Sequence, residues 1–313
     1  MVNKKGEFGF VWIFAIFAGI AILLLMVYMT SKILDTSKKL SDTEIGKSLS
    51  IVLDPLSAQD LRSQLTKISF SSPTKVEVGC VNKGYGRSLL TVLTRSEGKT
   101  GEWTGGEDIV VADKYIFSDV TEGSKNLNVF STSFKYPYKI ADLTFIVSKD
   151  YCFIGAPTKV KNTYSVLNNL QFDNCSEDQI TVCFDTPLSS CEISVEGFCS
   201  DYLCDSEYDY GFVKKEGNII PFTDSLLLAA ILSEGSEYNC NVNRLMYRAS
   251  KIAGILLKKN EFSSSRGCRS GVAGPLAVLE TGFLDYDPYG FITDTETILS
   301  LNELNEMGSC KLW

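Results

Sequence analysis

The chain has 313 residues, a net charge of -8, ten Cys and no His. The acidic balance argues against nucleic-acid binding, which needs a basic footprint. The absence of His removes Ser-His-Asp and Cys-His catalysis, and any zinc site built on imidazole.

The first element predicted is a membrane span. Phe8 through Ser31 carries no charged side chain, and about 20 apolar residues cross a bilayer. Trp12 and Tyr28 lie near its two ends, where aromatic belts form. No polar face interrupts it, so a buried soluble helix is a poor reading. It is also too long for the apolar region of a cleaved secretory signal. The expected partner is the lipid bilayer. Ala15, Ala18, Gly19 and Ala21 offer small surfaces for self-association. Residues 1–7 are assigned to a short cytoplasmic N-terminus and 8–31 to the transmembrane helix. Lys4 and Lys5 precede the span, whereas Lys32, Lys38, Lys39 and Lys47 follow it. A count of positive charges would thus favour the reverse orientation. The cysteines argue for the C-terminal part outside, because ten Cys are unusual in a reducing cytosol.

Lys4-Lys5-Gly6 directly before an apolar helix resembles the class III signal of archaeal type IV pilin-like proteins. The resemblance covers the N-terminal segment only. It implies processing between Gly6 and Glu7, with the apolar helix retained as an anchor or filament core. The chain is also similar to uncharacterised single-pass surface proteins of small-genome archaea, and that similarity supplies no activity.

Residues 32–54 read as a helical stalk. Ser41-Asp42-Thr43-Glu44 has the pattern of a capping box, where a helix could break and restart, and Asp54-Pro55 is the expected end. A β-rich part of the outer domain follows over 55–156, and a Cys-rich α+β part over 157–313; the fold class is α+β. Short runs of β-branched and aromatic residues predict strands at Ile68–Phe70, Lys75–Val81, Leu89–Arg95, Lys114–Phe117, Asn128–Phe134, Leu143–Val147 and Tyr151–Gly155. Pro157 opens a predicted helix to Leu170. Gly84-Tyr85-Gly86 lacks the third Gly of a dinucleotide loop and is set aside.

All ten cysteines, Cys80, Cys152, Cys175, Cys183, Cys191, Cys199, Cys204, Cys240, Cys268 and Cys310, follow the apolar segment. Their even number, and the lack of any Cys-x-x-Cys, favours disulfides over a zinc ribbon. Five crowd into 175–204, so at least one of them must pair outside that group if all are oxidised. Between them lie strand-like Ile180–Phe184 and Glu192–Val195. Gly211–Lys214 and Asn218–Pro221 flank Lys215-Glu216-Gly217 and predict a hairpin. Asp224–Ser233 reads as a short buried helix. A further helix is expected after Asn241 as its N-cap, with Val242, Leu245, Ala249, Ile252 and Leu256 on its core face. Arg244, Arg248, Lys251 and Lys258 are expected on its solvated face.

One local pattern points to a metal. Asp285, Asp287, Gly290 and Glu296 fall at positions 1, 3, 6 and 12 of an EF-hand-like calcium loop. Tyr289 replaces the ligand at position 5, and Pro288 stiffens the loop. The competing reading is an acidic turn followed by a helix capped at Thr293. The acidic stretch Asp201–Tyr210 lacks the turn Gly and reads as an exposed loop, and Asn174-Cys175-Ser176 is a formal glycosylation sequon. No catalytic residues and no organic cofactor are assigned. The leading expectation is a membrane-anchored extracytoplasmic structural or interaction protein, in the manner of a pilin-like subunit, with a surface protein as partner. The alternatives are a membrane-tethered ligand- or calcium-binding module and a carboxylate-dependent extracellular enzyme.

Overall fold

A computed structural model of the chain describes residues 10–58, 64–95, 103–119, 123–185, 191–198, 210–268, 270–285 and 290–313. The fold is α+β. A single helix, α1 (Phe10–Ala58), runs for 49 residues, about 74 Å at 1.5 Å per residue. Its first half, Trp12–Ile33, is apolar, with a mean hydropathy of 2.6 and nothing packed over it. That half is long enough to cross a membrane.

The strands form two sheets. The first contains β1 (Gln64–Val81), β2 (Arg87–Arg95), β3 (Trp103–Gly105), β4 (Ile109–Val111), β5 (Tyr115–Ser118), β6 (Ser124–Lys135) and β7 (Lys139–Val147). Its order is β3-β2-β1-β6-β7-β5, with β4 also on β2. β4 and β5 therefore sit at opposite edges, yet only residues 112–114 connect them. Five strand spacings would put flat edges about 24 Å apart, and four Cα steps reach at most about 15 Å. The sheet must coil until its edges approach. β1 is the corner of this coil: its first half pairs with β6 and its second half with β2, across an irregularity between Ser69 and Thr74.

Alternation along the strands fills both faces. Ile116, Leu127, Val129 and Ile146 point into the coil with Val76, Leu90 and Val111, and Leu49 of α1 closes it. Phe117, Phe130, Phe134 and Phe145 point the other way, into the main core shared with the second sheet. α1 thus docks on the coil by its second half. Gly46 makes the approach close, since a Cβ there would lie 2.3 Å from Ile109 Cδ1 and 3.3 Å from Val92 Cγ2. Gly46→Leu is expected to destabilise the docked helix by about 1–3 kcal/mol through overpacking, read as a lower denaturation midpoint. An unchanged midpoint would mean that α1 is not seated there.

The second sheet contains β8 (Tyr151–Ile154), β9 (Leu170–Phe172), β10 (Ile180–Phe184), β11 (Ile193–Phe198), β12 (Tyr210–Lys215) and β13 (Asn218–Thr223), in the order β13-β12-β11-β10-β8-β9. Its middle strands are parallel, and α2 (Thr158–Tyr164) provides the crossover from β8 to β9. The β12–β13 hairpin turns on Glu216 and Gly217, both at positive φ (50° and 76°), the geometry of a type I′ turn. The edge strand β13 is blunted: Pro221 has no N–H to donate, and its carbonyl accepts the Tyr238 hydroxyl at 2.6 Å. α3 (Leu227–Leu232) is buried along its whole length. α4 (Gly235–Ser264), α5 (Ala273–Gly282) and α6 (Gly290–Met307) complete the domain.

Several expectations are corrected. α1 runs unbroken through the expected capping box at Ser41–Glu44, and within it the Thr43 hydroxyl accepts the Glu107 N–H at 3.2 Å. It also passes Asp54-Pro55 and ends at Ala58, within about one turn of the missing N–H. The helix opened by Pro157 stops at Tyr164. Leu170–Phe172 is drawn into the sheet beside β8, and Asn169 holds it there through its side chain to the Lys149 carbonyl and its carbonyl to the Tyr151 N–H. Ile68–Phe70 and Lys75–Val81 are parts of one strand.

Candidate functional site

α4 organises the polar interior. Its predicted start at Asn241 is wrong: the helix begins at Gly235, and Asn241 lies wholly buried within it. The reason is the free edge of β5, whose backbone groups need partners. Two side chains of α4, spaced three residues apart and so on one face, supply them. Asn241 Nδ2 donates to the Ile116 carbonyl at 2.9 Å, and Arg244 Nη2 donates to the Lys114 carbonyl at 3.0 Å. A polar helical stripe thus takes the place of a neighbouring strand.

Arg244, expected in solvent, is 0% exposed. Its Nε donates to the Tyr85 carbonyl at 3.1 Å. Its Nη1 donates to Ser88 Oγ at 3.0 Å and Asn241 Oδ1 at 2.9 Å. The guanidinium also lies 4.7 Å from the centre of the Tyr115 ring. Each of these partners is neutral, and burial pulls the guanidinium below its ordinary pKa. Gly86, at φ +62°, allows the contact, because a Cβ there would lie 2.1 Å from the Val81 carbonyl oxygen and 2.7 Å from Arg244 Nε. The Gly84-Tyr85-Gly86 segment is therefore the turn that presents a carbonyl to Arg244.

Two adjoining clefts open at the start of α4 and share Glu234 and Ser236. The larger, about 870 Å³, lies at the leading ends of β8, β10 and β11, where Lys149, Tyr151, Ile180 and Ile193 meet Lys215 of β12. The smaller, about 440 Å³, lies between β1 and α4, with Ser118 and Glu237 in its wall. Titratable groups converge here. Asp119 is 2% exposed and accepts the Ser148 and Lys149 N–H groups at 2.8–3.1 Å, closing the β7–β8 turn. Burial raises its pKa against those hydrogen bonds. Lys215 donates to the Ile231 carbonyl at 2.7 Å and to the Ser233 carbonyl, which caps the end of α3. Burial lowers its amine to about 8. Glu237 is pushed up to about 8, chiefly by burial and further by Glu234, while the Ser118 N–H and Lys215 oppose the shift. Its Oε1 is sealed from solvent without a hydrogen-bond partner.

The cysteines pair as Cys80–Cys240, Cys152–Cys175, Cys183–Cys191 and Cys268–Cys310. The first ties β1 to α4 beside the small cleft. The second takes Cys175 out of the crowded group, and the last ties down the C-terminal tail. Cys199 and Cys204 lie outside the described residues, and among the described residues no cysteine is free. Gly6 and Glu7 also lie outside them. Of the calcium pattern, Asp285 ends a short 3-10 helix and Glu296 belongs to α6, which starts at Gly290 ahead of the cap expected at Thr293. The side chains of both residues, and all of Asp287, are outside the described residues. Among the described residues no cluster of three His, Cys, Asp or Glu side chains could hold a metal ion.

Asp119, Lys215 and Glu237 were not singled out in the sequence. The available signal was the spacing of Glu237, Asn241 and Arg244, a polar stripe on a helix whose neighbouring positions are apolar. Comparison with protein-family models, curated proteins and solved structures finds no match.

Proposed function

We propose that the chain is a membrane-anchored extracytoplasmic structural or interaction protein, built on the plan of a pilin-like subunit. The observation that carries this reading is the continuity of α1, whose apolar first half and docked second half form one helix. A helix of this kind sets a head on a membrane rod without a flexible link. The disulfides fit a head that matures in an oxidising compartment. No step of catalysis is assigned. The large cleft favours a second reading, a membrane-tethered binding module, for which its mixed apolar and charged lining is suited.

Two measurements test the first reading. Protease added to intact cells is expected to remove the head, and protection of the head despite verified access to the surface rejects the orientation. N-terminal sequencing of protein from native membranes reads the other part. A start at Glu7 supports the pilin-like plan with processing. A start that retains Lys4 and Lys5 leaves a permanent signal anchor and rejects the processed subunit.

A further inference from the structure

β6 lies beside β1 over Gln64–Ser69 and at Thr74, and β2 lies beside it over Thr74–Val81. Beyond Thr74, the edge that β6 occupied has no strand on it among the described residues. The smaller cleft, about 440 Å³, opens there. Its wall includes Lys75, Val76, Glu77, Val78, Gly79 and Cys80, six successive residues. Side chains of a strand alternate between its two faces, so a cleft over one face would meet every second residue. Contact with all six places this cleft along the edge of β1.

That edge presents main-chain groups. The Val92 carbonyl accepts the Gly106 N–H at 3.0 Å, on the side of β2 away from β1. Val92 lies opposite Val76, and bonded and non-bonded pairs alternate along an antiparallel ladder. Val76, Val78 and Cys80 therefore turn their N–H and C=O groups away from β2, while Glu77 and Gly79 bond to it. Val76 already has a partner, which leaves Val78 and Cys80. Unpaired strand edges are templates for a further strand. The charge of the rim selects among strands. Lys75 is paired with Glu77 at 2.7 Å, so the exposed Glu234 is the charge left open on the other wall.

We propose that this edge is a berth for an added strand: an extended segment of a partner protein, carrying a Lys or Arg for Glu234, pairs with Val78 and Cys80 between β1 and the first turn of α4. Main-chain bonds hold such a segment, and its side chains set the specificity. Cys80–Cys240 bounds the berth at one end and fixes its width there. The inference names the partner's chemistry and rests on the interaction-protein reading above.

Amide hydrogen exchange at single residues, on the full chain in detergent micelles and corrected for intrinsic rates, tests it. Without any peptide, the Val78 and Cys80 amides are expected to exchange about tenfold faster than those of Glu77 and Gly79. The probe is acetyl-Lys-Val-Lys-Val-Lys-amide at about 1 mM, enough to detect weak binding. It is expected to slow Val78 and Cys80 by about threefold and to leave Glu77 and Gly79 unchanged. The same peptide N-methylated at every residue, which cannot donate, and acetyl-Glu-Val-Glu-Val-Glu-amide, which Glu234 repels, are expected to slow neither. Val78→Pro removes one outward N–H without touching the β2 ladder, and should weaken the effect at Cys80. Equal exchange of all four amides without peptide, no slowing by the Lys peptide, or equal slowing by either control overturns the proposal. Failure here leaves the anchor and the orientation to the protease and N-terminal tests.

Discussion

Truncating Arg244 to Ala is expected to destabilise the head by about 3–5 kcal/mol. The guanidinium joins α4 to the β1–β2 turn, to β2 and to the start of β5 at once. Its removal leaves the Asn241 side-chain oxygen and Ser88 without a cationic donor inside the core, and each buried polar group left unpaired costs about 1–3 kcal/mol. It also leaves a void where a large, fully buried side chain stood. Arg244→Lys should rescue little of this, because an ammonium cannot reach four acceptors in the planar fork that the guanidinium provides. Urea unfolding of the full chain in micelles, followed by tryptophan fluorescence, reads the effect. A loss below about 1 kcal/mol for Arg244→Ala would show that the network carries no net stability.

The second large effect is expected at Cys80–Cys240. The two cysteines are 160 residues apart, against 8 for Cys183–Cys191. A cross-link stabilises mainly by restricting the unfolded chain, and the effect grows with the logarithm of the loop. That gives about 5 kcal/mol for the long bridge and about 2.5 kcal/mol for the short one. Replacing both members of each pair with Ala, in separate variants, should therefore lower the unfolding midpoint about twice as far for Cys80/Cys240. Equal shifts would mean that the unfolded chain already keeps β1 and α4 together.

The strands were legible because their alternation is local. Leu89–Arg95, Asn128–Phe134, Leu143–Val147 and the β12–β13 hairpin were read near their true places. The apolar start of α1 and the buried run at Leu226–Leu232 were equally plain. What failed depended on distant partners. Ser41-Asp42-Thr43-Glu44 looked like a capping box, but the helix passes through it where Glu107, far along the chain, donates to the Thr43 hydroxyl. Asn241 looked like a cap because Asn favours caps, but the carbonyl of Ile116 occupies it inside a helix that starts earlier. Arg244 looked solvated because cations usually are; a strand edge with no strand beside it made the interior polar there. The clefts at the start of α4 gave no signal at all, since their walls come from seven strands and two helices that no short window contains.

The unbroken backbone of α1 has a geometric consequence. Each residue turns an α-helix by about 100° and advances it about 1.5 Å. Between Ile33, where the apolar half ends, and Thr43, which is hydrogen-bonded to the head, the helix is continuous, so nothing absorbs a change of phase. On the membrane-anchored reading proposed above, the compass bearing of the head around the membrane normal is written into the residue count of that segment. Deleting one residue there would swing the head by about 100°, whereas deleting seven would return it to within about 20° of its bearing and bring it about 10 Å closer to the membrane.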